Sequence, residues 1–451
     1  MKGAYLLIGL TLCFLQGCAT YQRLPLDDSS VARKLRPPSM EDIRIRAKAI
    51  NHPILKSIQF NDRDGLSPDE AAVLAVLANP ALRAVRDRKG LGAAQLLQAG
   101  ILPNPQLSYS LDVPTGGNTK GTINAFGLGL GWDISSLISR GARLEAARRY
   151  SASVDLQVAW QEWQVAEAAR LHVYRLLFLK EQLVLAGKTE REARENLHTV
   201  KKAFSLGVKT ILELTAVEMA YQNAHNIVLT LEQEQLHERY GLNRTLGLAP
   251  DRVVSLQKNA RPPLWQRLPG YGEIIRRLDS RRLDLLALKE GYESQEARVR
   301  AAVLSQFPRI NIGLNHARDS GNVITTGFAV SVDLPFFDRN QGQIAVERAN
   351  RQQLYDEYVA RIFEIRSSVA AILGNMASIK RQLEAAQDSV KIASQLVEAY
   401  KLALKDGNAD IVTYNNLRNE LETRRLGILK LKRDLTDMGI ALEIAAGENV
   451  R

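Results

Sequence analysis

Asn79-Pro80-Ala81-Leu82-Arg83-Ala84-Val85 opens a block that closes at Leu102-Pro103-Asn104-Pro105-Gln106-Leu107, and the chain then carries a second version of it. Arg282-Leu283-Asp284-Leu285-Leu286-Ala287-Leu288 lies 203 residues on, closing at Ser305-Gln306-Phe307-Pro308-Arg309-Ile310. Leu82 falls on Leu285, Ala84 on Ala287, Pro105 on Pro308 and Leu107 on Ile310. With an offset of 200, Leu128-Gly129-Leu130-Gly131-Trp132-Asp133 matches Phe328-Ala329-Val330-Ser331-Val332-Asp333, and Gly207 falls on Gly407. Two copies of a unit of about 180 residues point to one pseudo-symmetric object, not the three domains that length alone suggests.

After each Pro-marked boundary come two segments of strict alternation. In the first, Leu107, Tyr109, Leu111 and Val113 share a face, with Gln106, Ser108, Ser110 and Asp112 opposite. Pro114-Thr115-Gly116-Gly117-Asn118 is a turn, and Phe126, Leu128, Leu130, Trp132 and Ile134 then alternate with Gly127, Gly129, Gly131 and Asp133. The second copy sets Ile310, Ile312 and Leu314 against Asn311, Gly313 and Asn315, and Phe328, Val330, Val332 and Leu334 against Gly327, Ala329, Ser331 and Asp333. Strands of about ten residues cross an outer membrane at a tilt. Large apolar side chains on one face and small or polar ones on the other suit a wall between lipid and water. The alternative is a half-buried hairpin on a soluble core, but no other segment offers a second layer to cover two such hairpins.

The rest is helical. Ser67-Pro68-Asp69-Glu70 carries an N-cap, a proline at the first position and a capping-box glutamate, and predicts a helix running to about Gly100. From about Gly141 to Ser205 apolar residues recur at helical spacing with no proline, a rod of roughly 95 Å. Gly207 breaks it and a second helix returns over 210–246; the second copy repeats this over about 342–404, Asp406-Gly407-Asn408 and 409–446. Two short helices stacked end to end match the length of each long one. Helices this long pack as a coiled coil with both faces engaged.

Four strands cannot close a barrel, and an open edge in lipid leaves unpaired backbone groups that cost several kcal/mol each. Two copies give eight strands with a filled interior, whereas three give twelve and a water-filled bore; the small inner-face residues favour three.

Residues 1–17 read as a secretory signal, with Lys2 before a short apolar core. Leu15-Gln16-Gly17-Cys18 resembles the lipobox of bacterial lipoproteins, which implies lipid on Cys18, and Ala19 in place of Asp implies the outer membrane. The only other cysteine, Cys13, is in the signal, so the mature chain has no disulfide and no thiol metal site. The expected division is a signal (1–17), a lipidated tether (18–66), a first repeat (67–250; strands about 105–114 and 122–134), a linker (251–271), a second repeat (272–447; strands about 308–316 and 323–335) and a tail (448–451). The net charge of +11 is spread along helical stretches among acidic residues, which reads as solvated helix faces and not as a nucleic-acid surface.

Helix, Pro-led hairpin, long helix, Gly break and helix, all repeated, resemble the TolC-like outer membrane efflux proteins over about 68–447. The motifs that carry this are 99–105 (AGILPNP), 299–308 (VRAAVLSQFP), 204–214 (FSLGVKTILEL) and 404–414 (LKDGNADIVTY). The resemblance implies a mainly α protein with a membrane β-barrel: a homotrimer with a twelve-stranded barrel in the outer membrane and a long helical tunnel below it. It implies a periplasmic adaptor and an inner membrane pump of the RND or ABC type as partners, outer membrane lipid around the barrel, and no cofactor. Leu206, Gly207, Val208, Leu404 and Gly407 fall at the turns that dock the adaptor. Asp410, Thr413, Tyr414 and Asn416 fall where the family closes its periplasmic gate, although Thr413 and Asn416 stand where some relatives carry acidic residues.

Neither a phosphate-binding loop nor a His-Glu-x-x-His motif is present, and the six histidines (52, 172, 198, 225, 237, 316) lack metal-ligand spacing, so no catalytic or metal site is expected. His316 reads as a solvated loop residue. The leading expectation is the exit duct of a tripartite efflux pump; protein secretion and heavy-metal efflux use the same architecture. A coiled-coil lipoprotein spacer is the alternative from another class, and it leaves the four strands without purpose.

Overall fold

The computed structural model describes residues 19–450 apart from 62, 264 and 266, so the expected signal segment and the expected lipid site at Cys18 lie outside the described residues. The chain divides into two units between Met40 and Glu41. The first holds α1 (Asp28–Leu35), capped by Asp27, whose carboxylate accepts from the Ser29 hydroxyl at 2.6 Å and the Ser30 N–H at 2.9 Å.

After α2 (Met40–Lys48), the second unit runs through α3 (Pro68–Ala78), α4 (Pro80–Gly100), β1 (Gln106–Asp112), β2 (Ala125–Asp133), α5 (Ser135–Ser205) and α6 (Ile211–Leu246). The order then repeats as α7 (Tyr271–Arg281), α8 (Leu283–Leu304), β3 (Ile310–Arg318), β4 (Ile324–Val332), α9 (Gln341–Lys405) and α10 (Ile411–Ala446). With 71 residues, α5 is about 105 Å long at 1.5 Å per residue. It is flanked by α3 and α4 and by the returning α6, while α9 packs on α8 and α10.

The helix expected to run unbroken from Ser67 to Gly100 is two helices. Pro80 has no N–H to continue the ladder and disfavours helical backbone at Asn79, so the chain breaks there. The Asn79 side chain accepts from the N–H of Ala81 at 2.8 Å and donates to the Thr245 carbonyl at 2.8 Å, joining the break to the end of α6. The second repeat breaks at Arg282, the position 203 residues on, and Arg282 donates to the Ala445 carbonyl near the end of α10 at 2.7 Å. Each short helix pair is thereby locked to the closing helix of its own repeat.

The expected tether over 18–66 is corrected from Ile43 onward. Ile43, Ala47, Leu55 and Phe60 are buried in the same core as α3, α5 and α6. His52 fixes this segment: its Nδ1 accepts the N–H of Ile54 and Leu55 at 3.1 and 3.0 Å, and its Nε2 meets the Ala159 carbonyl on α5 at 2.9 Å. Leu66 then pairs with the inter-repeat linker at Leu256, donating to Ser255 O at 2.8 Å. Low periodicity reads as a spacer, but the scattered apolar residues of the segment are buried against α3, α5 and α6.

Burial is unequal between the repeats. Helix α5 buries side chains from Ser139 to Val200, whereas α9 buries Ile365, Val369 and Met376 and leaves Val359, Phe363, Ile392 and Leu396 exposed.

Candidate conduit surfaces: the sheet and the helix turns

The four strands form one antiparallel sheet in the order β1-β2-β3-β4, so β1 and β4 each have a free edge. Register places Leu107 on Leu130, Leu130 on Leu314 and Leu314 on Phe328, which gathers the large apolar residues on one face. Leu107 and Phe328 are 73% and 68% exposed on that face, so nothing among the described residues covers it. The opposite face carries Ser108, Ser110, Gly127, Gly129, Asn315 and Gly327, and is shallow for a steric reason. A Cβ on Gly129 would lie 2.6 Å from the Ser108 hydroxyl and one on Gly127 would lie 2.7 Å from the Ser110 hydroxyl. Trp132 marks the helix-side rim, its indole N–H donating to Pro103 O at 2.9 Å.

His316, read from the sequence as a loop residue, is in β3, which reaches Arg318. It lies on the apolar face, with Nδ1 at 2.8 Å from the Thr326 hydroxyl and its ring 6.1 Å from that of Phe126.

At the far end of the helices the two turns close alike. Gly207 has φ 73° and its N–H donates to Phe204 O at 2.9 Å, while Val208 N–H reaches Ala203 O at 2.9 Å. Gly407 has φ 72°, and Asn408 N–H reaches Ala403 O at 2.8 Å. Left-handed backbone at both positions explains the glycines.

The turns differ in what they present. Leu206 and Val208 are each 71% exposed, and Ile211 and Leu212, not singled out from the sequence, extend the apolar patch. The second turn offers Asp406, Asn408 and Asp410, all exposed, and Leu404 is half-buried. At the start of α6, Thr210 and Glu213 form a capping box; the Lys209 ammonium at 2.6 Å and the Thr210 bonds lower the Glu213 pKa to about 2.

Asp410 caps α10. It accepts the Thr413 hydroxyl at 2.6 Å and the Thr413 N–H at 2.7 Å, and these bonds lower its pKa. Two of the four gate candidates are therefore bonded to each other as cap and third residue. Tyr414 and Asn416 occupy the next turn, half-buried and exposed respectively. Beyond them Arg418 pairs with Glu192 of α5, and burial pulls its pKa down, with the Glu422 charge opposing.

Further from the turns, α5, α6 and α10 are tied by charged groups the sequence did not reveal. His172 Nδ1 lies 2.7 Å from Glu238, and Arg175 reaches Glu238 at 3.3 Å and Asp437 at 2.9 Å. Burial pushes Asp437 up, incompletely offset by Arg175; burial also raises Glu238, but His172 and Arg175 outweigh it and leave its pKa lowered. These partners come from helices 60 or more residues apart, so spacing carries no sign of them. Among the described residues no three His, Cys, Asp or Glu side chains gather as a metal set.

A sequence profile of the outer membrane efflux protein family matches residues 72–248 and 274–448. The two stretches thus repeat at nearly the offsets seen within the sequence. The cobalt-zinc-cadmium resistance protein CzcC of Cupriavidus metallidurans is 23% identical over 320 residues, covering 70% of this chain and 74% of that protein. The crystal structure of CusC superposes with a TM-score of 0.70 at 18% identity, covering 88% of this chain and 98% of that one. VceC, an outer membrane protein of Vibrio cholerae, gives 0.68 at 16% identity, with 85% and 97% covered.

Proposed function

This chain belongs to the outer membrane efflux protein family, and from that premise we propose that it is the exit duct of a tripartite efflux system, passive and driven by an inner membrane pump of the RND or ABC type. Three copies join β4 of one to β1 of the next, and the twelve strands enclose a water-filled bore. The observation that carries this is the open sheet: two free edges and an uncovered apolar face in one chain. In lipid those edges require partners, and the shallow Gly/Ser face leaves room for water inside. The exposed apolar residues of α9 supply a second surface for the neighbouring copy.

In this reading the turns at Leu206, Gly207, Val208, Leu404 and Gly407 meet the periplasmic adaptor, and Asp410, Thr413, Tyr414 and Asn416 narrow the tunnel just above. Lipid on Cys18 anchors the mature chain to the outer membrane. The family is one of ducts, and the proposal assigns no catalysis.

The purified full chain in detergent is expected to run as a trimer and to conduct ions across a planar bilayer. A monomer without conductance overturns the proposal.

Similarity to CzcC favours divalent transition-metal cations as cargo over organic compounds. A deletion strain is then expected to lose resistance to cobalt, zinc and cadmium and to keep its drug susceptibility; the reverse pattern rejects metal cargo and leaves the duct in place.

A further inference from the structure

The apolar face of the sheet changes character on one strand, while Phe126 and Ile324, the register neighbours of Arg318, stay apolar. Along β3, Ile310, Ile312 and Leu314 are followed on the same face by His316 and Arg318. From Ile310 to Arg318 the strand rises about 26 Å at 3.3 Å per residue, or about 20 Å along the membrane normal at a tilt near 40°. The apolar band of an outer membrane barrel is about 25 Å tall. Arg318 closes β3, and the polar turn Asp319-Ser320-Gly321-Asn322 that follows at once requires water, so the two basic residues stand beside the rim away from the helices.

Their bonding leaves donors over. Arg318 stacks over Phe126, 5.2 Å from the ring centroid, and one Nη donates to Asn124 O at 3.1 Å. Its Nε is buried without a partner, and among the described residues no carboxylate lies within ion-pair distance of it. The nearest acidic neighbour in sequence, Asp319, accepts the Val323 N–H at 2.9 Å and follows the opposite face. With the Thr326 hydroxyl on Nδ1, His316 retains Nε2 for a second partner. The surrounding loops are stitched together, Ile123 N–H donating to Ser320 O at 3.1 Å, so the pair stands on a fixed rim.

We propose that Arg318 and His316 seat the phosphate of an outer-leaflet lipid whose acyl chains lie down the Leu314–Phe328–Leu128 face. The remaining Nη of the guanidinium and the His316 Nε2, when it carries the ring's proton, match phosphate oxygens, and the apolar face below matches the chains. This rests on the sheet being a membrane wall, as in the duct reading.

Native mass spectrometry of the detergent-extracted full chain, with bisphosphorylated lipid A, its dephosphorylated form or inorganic phosphate added, tests it. The wild type is expected to retain phosphorylated lipid about tenfold better than the dephosphorylated form, and the double variant Arg318→Gln, His316→Gln to lose that preference with conductance unchanged. Equal retention of both lipids by the wild type, or an unaltered preference in the variant, overturns the seat while the membrane wall stands. Displacement by inorganic phosphate alone reveals a free-anion site and also overturns it. Retention of neither lipid also overturns the seat, while conductance across a planar bilayer decides the membrane wall separately.

Discussion

His52 shows how much one side chain decides that no motif announces. Its Nδ1 accepts two backbone N–H groups while Nε2 faces the Ala159 carbonyl, an arrangement that requires the neutral ring. Burial accordingly holds its pKa below 6.5. The unfolded chain takes up a proton near pH 6.5 and the folded one resists it, so this contribution is complete above that pH. It falls as pH drops from about 6.5 toward the folded pKa. Replacing His52 with Ala is expected to cost about 1–3 kcal/mol at neutral pH and to flatten the decline in melting temperature between about pH 7 and 5. Thermal melts of both proteins across that range check it. The ring's partner is 107 residues away, which is why the sequence showed only an isolated histidine. Gly207 and Gly407, in contrast, were legible, because a helix reversing within a few residues demands positive φ and the demand recurs in the second copy.

At the scale of elements, the breaks at Asn79 and Arg282 do the same task with different chemistry. Asn79→Ala removes a cap and the bond to Thr245, an expected loss of about 1–2 kcal/mol. Arg282→Ala also strands Asp284, paired at 2.7 Å, and uncovers Trp160, whose ring lies 4.9 Å from the guanidinium. Losing one partner of a buried pair costs about 3–5 kcal/mol, so the second variant should melt well below the first. Pro80 made the first break readable in principle; nothing local marks the second, which only alignment with Asn79 exposes. The start of α10 allows a sharper test. Asp410→Asn keeps an N-cap without the charge, whereas Asp410→Ala loses about 1 kcal/mol of capping. If Asp410 and Tyr414 narrow the tunnel, Asp410→Ala with Tyr414→Ala raises single-channel conductance. A conductance equal to the wild type removes both from the gate.

For the whole molecule, alternation and helix length revealed the strands, the long helices and their doubling. What they hid was the inequality of the repeats: α5 buries side chains along most of its length, whereas α9 buries Ile365, Val369 and Met376. Periodicity records which residues are apolar, not whether the surface that covers them belongs to the same copy. Phe363, 74% exposed on α9, is expected to lie against a neighbour. Phe363→Glu should shift the protein from trimer to monomer on size-exclusion chromatography while circular dichroism keeps its helical signal. The same incompleteness governs how the protein reaches its place. A solitary copy brings two raw hydrogen-bonding borders to the bilayer and has no stable way to embed them, so insertion and association become a single event. A subunit spoiled along one border then disables two sound companions, and mixed expression should depress transport more steeply than the fraction of defective chains.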